Sequence, residues 1–229
     1  YNGENALCGV QQTEFALHIQ HHTWRFYIMK RVLENDFLKV TIDDHGAELV
    51  SIYDKDKDRE VIWQGDPRFW GRHAPVLFPN VGKHYGNHYR IGDREYASKQ
   101  HGFARDTDFT CIDSTLDSVT HQIRSTEETK EVYPFDFVLR IRHILKGRTL
   151  TVSWKVANNS DGDMYFAIGG HPAFRVPVLP DTKRSDYRLT FDGQESLTYL
   201  LLDPESGTAK AEEKATLKLE NGTCQIEDH

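Results

Sequence analysis

The run Phe137-Val138-Leu139-Arg140-Ile141-Arg142-His143-Ile144-Leu145-Lys146-Gly147-Arg148-Thr149-Leu150-Thr151-Val152-Ser153-Trp154-Lys155-Val156 decides the fold class. Phe137, Leu139 and Ile141 alternate with Arg140 and Arg142. Beyond the turn residues Lys146-Gly147-Arg148, Leu150, Val152, Trp154 and Val156 point one way. Thr149, Thr151, Ser153 and Lys155 point the other. A period of two is the pleat of a strand, which sends successive side chains to opposite faces. The same alternation recurs at Leu38, Val40 and Ile42, at Tyr187, Leu189 and Phe191, and at Leu217 and Leu219. Turn chemistry separates the runs, at Asp43-Asp44-His45-Gly46, residues 158–162, Asp192-Gly193 and Asn221-Gly222. No stretch carries a convincing helical period. Many short two-faced strands imply antiparallel sheets packed face to face, so the expected fold is an all-β, large antiparallel β-sandwich.

A chain of 229 residues is long enough for one such sandwich. No internal repeat or low-complexity linker divides it. No apolar run approaches the ~20 residues of a membrane helix, so no membrane partner is expected. The formal charge is −7 and no Lys/Arg block occurs, which argues against nucleic acid as a partner. Cys8, Cys111 and Cys224 are odd in number and far apart. They suit a reducing compartment, and a cytoplasmic location is expected.

The two ends differ from the middle. Residues 1–28 carry His18, His21 and His22, without strand alternation or the charge pattern of a secretion signal. The first methionine is Met29, and strand patterning starts at Val32. The expected organisation is an extension at 1–28, disordered or read-through, and a sandwich domain at 29–229. The chain halts just after a strand-like alternation at 223–226, so the sandwich is expected to be incomplete at its C-terminal end.

Two segments break the alternation. One is Phe69-Trp70-Gly71-Arg72-His73-Ala74-Pro75-Val76-Leu77-Phe78-Pro79-Asn80-Val81-Gly82-Lys83; the other is Ile168-Gly169-Gly170-His171-Pro172-Ala173-Phe174-Arg175-Val176-Pro177. Gly and Pro inside apolar stretches force irregular backbone beside a core, as sites often require. His171 adjoins Gly170, and His101 adjoins Gly102 in Gln100-His101-Gly102-Phe103-Ala104-Arg105. One reading is a pair of imidazoles under aromatic walls, able to move protons near neutral pH. The other is two histidines satisfied by backbone hydrogen bonds at strand ends. Glycine beside each favours the first, because it lets a ligand approach the backbone. Trp63, Phe69 and Trp70 read either as core or as a platform for a sugar face. His73, His84 and His88 lack a zinc motif, and Asp54, Asp56 and Asp58 lack the glycine and closing glutamate of a calcium loop. No metal is expected. The nucleophile-elbow and nucleotide motifs are missing from the sequence, so hydrolase and nucleotide readings lose support.

Taken together, these segments resemble the aldose 1-epimerase (galactose mutarotase-like) family, in its bacterial LacX-like branch. The resemblance is carried by His45-Gly46-Ala47-Glu48-Leu49-Val50-Ser51-Ile52, Ala74-Pro75-Val76-Leu77-Phe78-Pro79 with Val81-Gly82, Tyr133-Pro134-Phe135-Asp136-Phe137 and the two histidine motifs. It implies a mutarotase-type sandwich with a sugar on an open concave sheet face. It implies an isomerase that interconverts α and β anomers of an aldose by acid–base ring opening, without cofactor. It makes His171 the acid to the ring oxygen, and His101 a sugar ligand that supports proton transfer. Lys83 stands where relatives have a sugar-binding arginine, with Arg72 the fallback. Gln100 and Phe174 complete the expected substrate contacts. The family's base is a glutamate near the C-terminus, and Glu205, Glu212, Glu213, Glu220 and Glu227 do not sit in its motif. A monomer or homodimer is expected. Competing readings are a hexose-6-phosphate 1-epimerase-like enzyme, with Arg72, Lys83 and Arg105 on the phosphate, and a non-catalytic carbohydrate-binding β-sandwich. The last is a sandwich with no sugar site.

Overall fold

The computed structural model describes residues 29–226, so the expected 1–28 extension lies outside the described residues. The chain opens with a meander. Strands β1 (Lys30–Glu34), β2 (Leu38–Asp43), β3 (Leu49–Asp54) and β4 (Arg59–Glu60) pair antiparallel in chain order. The Asn35 side chain closes the first turn by accepting the N–H groups of Phe37 and Leu38. In β2 the alternation holds: Leu38, Val40 and Ile42 are buried and Lys39 is exposed. Regular structure then thins to β5 (Val76–Leu77) and a hairpin of β6 (His88–Ile91) and β7 (Arg94–Ala97). A second sheet follows, from β8 (Thr110–Ser114), β9 (Ser118–Arg124), β10 (Phe137–Lys146) and β11 (Thr149–Asn158), in the order 11-10-9-8. Strand β12 (Gly169–Gly170) returns to pair with β5. Strand β13 (Arg188–Thr190) pairs with β16 (Thr223–Gln225), and β14 (Ser196–Leu202) with β15 (Ala209–Lys218).

The core joins the two sheets. Leu33, Val40 and Ile42 pack with Val119 and Leu145 in one cluster. A second cluster is aromatic and centres on Phe78, whose ring meets those of Phe103, Tyr133 and Phe137 at 5.2–6.3 Å. Such tilted and edge contacts add to what area burial already contributes. Phe78 is fully buried, and truncating a side chain of this kind to alanine costs about 3–5 kcal/mol.

Two local expectations need correction. The sequence shows no convincing helix, yet Glu127–Val132 form one short helix, α1. Thr126 and Thr129 cap it reciprocally, each side chain taking the other's backbone N–H, and Glu127 and Glu128 suit its positive end. Six residues are too few to print a helical period. The alternation in β11 also predicts one buried face, but Val152 and Trp154 are 39% and 42% exposed. Strand β11 ends its sheet, with β10 as its one partner among the described residues.

A polar group is buried where the sheets meet. Arg31 donates two hydrogen bonds to the Asp44 carboxylate, at 2.9 and 2.8 Å, and His121 Nε2–H donates a third at 3.0 Å. Burial pushes the Asp44 carboxyl up, but these bonds outweigh it and hold it below the ordinary value. The ring of His143 lies edge-on to His121 at 6.3 Å, and its Nδ1 is buried without a partner among the described residues. Burial, with a smaller push from His121, lowers His143 to about 3, so it stays neutral in the fold. Unfolding restores the ordinary value near 6.5, so the unfolded chain binds more protons between the two values. Stability from this site is full above about pH 6.5 and falls as pH drops toward 3. Denaturant titrations at pH 7 and pH 4.5 are expected to show this loss, and His143→Leu is expected to reduce it.

Candidate active site

Residues 75–82 hold both histidine motifs, one on each side. On one side Gly170 pairs with Val76 and Gly169 with Leu77. The His171 N–H donates to the Pro75 carbonyl at 3.1 Å, and the Ala167 N–H to the Pro79 carbonyl at 2.8 Å. On the other side Phe78 bridges Gly102 in parallel. The Phe78 carbonyl accepts from Phe103 and Ala104, both at 3.1 Å, and the His101 N–H donates to the Gly82 carbonyl at 2.8 Å. Glycine is required at 102. Its φ is +70°, and a Cβ there would lie 2.2 Å from the Phe78 oxygen.

This arrangement brings the two imidazoles together. The His101 and His171 ring centroids are 6.1 Å apart, and Trp70 lies 5.1 Å from His171. His171 is exposed, and its ring nitrogens have no hydrogen-bond partner among the described residues. His101 is half-buried and accepts the Gly82 N–H on Nδ1 at 3.0 Å. Burial, then the fields of Arg105 and His171, lower its proton affinity. A cavity of about 270 Å³ opens beside His171, bordered by Pro75, Val76, His143, Trp154, Gly170 and Pro172.

The other expected contacts divide. Lys83 makes no ion pair among the described residues, and its stem runs beside Gly207, in the turn between β14 and β15. Arg72 donates to the Arg105 carbonyl at 3.1 Å and pairs with Asp106. Gln100 is exposed, and its backbone carbonyl accepts from the Arg105 guanidinium at 3.0 Å. Phe174 is exposed and borders a different cavity, with Val61, Arg175 and Tyr187. Sequence reasoning gave no role to Glu48. This buried carboxylate accepts the N–H groups of His73 and Ala74 at 2.6 and 2.9 Å, which fixes the chain beside Arg72. A lone charge between Ala47 and Leu49 was the available signal.

In fold the protein is a galactose mutarotase-like β-sandwich, and it brings His101 and His171 together. The chain belongs to the aldose 1-epimerase family, whose sequence model matches residues 29–223. It is 34% identical over 195 residues to the chromosomally encoded protein LacX of Lactococcus lactis subsp. lactis. That match covers 82% of this chain and 64% of the relative. The chain thus spans just under two thirds of the curated relatives it matches. Among solved structures it is similar to a galactose mutarotase related enzyme from Lactobacillus acidophilus, at 34% identity and a TM-score of 0.82. That likeness covers 87% of this chain and 65% of the other. A galactose mutarotase-like protein from Lactobacillus casei is 35% identical with a TM-score of 0.72, covering 85% and 70%.

The close approach at Gly102 gives a direct test. Gly102→Ala adds a Cβ at positive φ against a carbonyl, and is expected to cost well over ~1 kcal/mol. Thermal unfolding of the variant measures the loss. A variant as stable as the parent contradicts the contact.

Proposed function

We propose that the protein interconverts the α and β anomers of an aldose by acid–base ring opening. The observation that carries this reading is the pair of imidazoles 6.1 Å apart, with Trp70 against His171. Ring opening needs a proton delivered to the ring oxygen as the bond from C1 breaks and its electron pair passes to that oxygen. A base takes the anomeric hydroxyl proton, and the carbonyl forms. Rotation about the C1–C2 bond and reclosure give the other anomer. His171 suits the acid, because it is exposed and its ring nitrogens have no hydrogen-bond partner among the described residues. The family resemblance assigns the base to a glutamate near the C-terminus of its members. Glu48 and Asp106 do not suit that task, since one holds two backbone N–H groups and the other Arg72.

The charges beside the histidines favour a neutral sugar over a phosphosugar. Arg72 is paired with Asp106 and lies 3.9 Å from Glu48, and Arg105 lies 3.9 Å from Asp106. Two guanidiniums thus face two carboxylates, and a phosphate would have to displace these contacts. The engagement of both carboxylates also supports a second reading, a carbohydrate-binding sandwich without catalysis.

Polarimetry of freshly dissolved α-D-glucose and α-D-galactose tests the proposal. Acceleration is expected of a chain that carries the family's C-terminal glutamate, and His171→Ala is expected to lower it by about 10²–10⁴-fold. A sugar that binds only the folded state raises the unfolding temperature. A thermal shift without acceleration selects the binding-only reading. Neither effect, in a folded protein, overturns both.

A further inference from the structure

We propose that the Gly82 backbone N–H locks His101 as the Nε2–H tautomer, so that His101 is a fixed hydrogen-bond donor to the ligand and carries no proton in turnover. The donor's target rests on the sugar reading above; the lock itself does not.

The geometry is local and closed. The Gly82 N–H points at Nδ1 at 3.0 Å, and the His101 N–H returns to the Gly82 carbonyl at 2.8 Å. A ring nitrogen that accepts an N–H carries no proton of its own. A neutral imidazole has one N–H, so here it sits on Nε2. Charging His101 would place a second proton on Nδ1, facing the Gly82 N–H, and would break this contact. Nε2 has no partner among the described residues and is left for a ligand. The backbone supports the same conclusion. His101 holds φ +66°, a left-handed conformation that few side chains adopt. Such a residue persists where its surroundings over-determine it. Gly82 itself sits at φ +83°, a conformation glycine adopts readily.

The groups whose fields reach His101 act in the same direction. Arg105, in the turn before β8, and His171, at the end of β12, both oppose a positive charge on it. A proton on His171 therefore makes one on His101 still less favourable. The pair divides its work: His171 keeps both ring nitrogens without a partner among the described residues, and His101 donates. Gly82 is a positioning residue that acts through His101, and its sequence signal was only the glycine in Val81-Gly82-Lys83.

Imidazole ¹⁵N spectra of the whole protein read the tautomer without any assay. One histidine, assigned by its absence in His101→Gln, is expected to keep the Nε2–H pattern from pH 8 down to about pH 6, where a free imidazole is largely charged. An Nδ1–H pattern, or conversion to imidazolium within that range, overturns the lock. Two variants test the donor role. In His101→Gln an amide N–H replaces Nε2–H, and in His101→Asn an amide oxygen replaces Nδ1. Both are expected to slow anomerisation, Asn by about 10²-fold, the cost of one lost donor. Gln is expected to be at least tenfold faster than Asn and to keep every limb of the parent pH–rate profile. A limb lost in His101→Gln, or Asn faster than Gln in folded variants, shows that His101 carries a proton. The Nε2–H pattern in a protein with no anomerase activity overturns the sugar reading and confirms the lock.

Discussion

The backbone at Phe78 is the constraint on which the rest of the structure depends. Its ring is the centre of the aromatic core, and its carbonyl takes the N–H groups of Phe103 and Ala104. One residue therefore joins hydrophobic burial to the hydrogen bonding of a loop. The strand that leads into it pairs with Gly169 and Gly170, and the residues that follow it reach His101 through Gly82. Moving Phe78 would disturb the core and both histidine motifs together. Core burial of an aromatic ring is strong and non-directional, whereas the carbonyl contacts are weak and directional. The combination sets a site with an accuracy that neither provides alone.

Charge placement follows the same economy. Asp44 sits between Arg31 and His121 where the sheets meet, and Glu48 accepts two backbone N–H groups beside Arg72. Three residues of chain separate these carboxylates, and each closes a different seam. The first ties the meander to β9. The second holds the irregular segment that leads into β5. Buried charges of this kind require several partners, and both have them.

The fold was legible where one face of a strand is buried. Leu38, Val40 and Ile42 in β2, and Phe137, Leu139 and Ile141 in β10, show the alternation and are buried. In β11 the same alternation is present, but burial depends on neighbours that a local pattern does not encode. Helix α1 escaped because its capping threonines surround too few residues. At the site, the histidine motifs stood out because Gly and Pro interrupt apolar runs. That Arg72 would meet Asp106, or that Gly82 would meet His101, was not legible. Those partners are 34 and 19 residues apart, and only the folded backbone makes them neighbours.

The suspension of both histidine motifs from one segment, residues 75–82, separates two properties that proteins often entangle. The distance between the imidazoles is inherited from the core, through Val76, Leu77 and Phe78. The surroundings of the rings are written in residues such as Trp70 and Arg105, which belong to neither buried cluster. Sequence drift can therefore rewrite what the centre accepts while its spacing stays constant. A lineage built on this scaffold could trade one ligand for another at the rim without first rebuilding the centre.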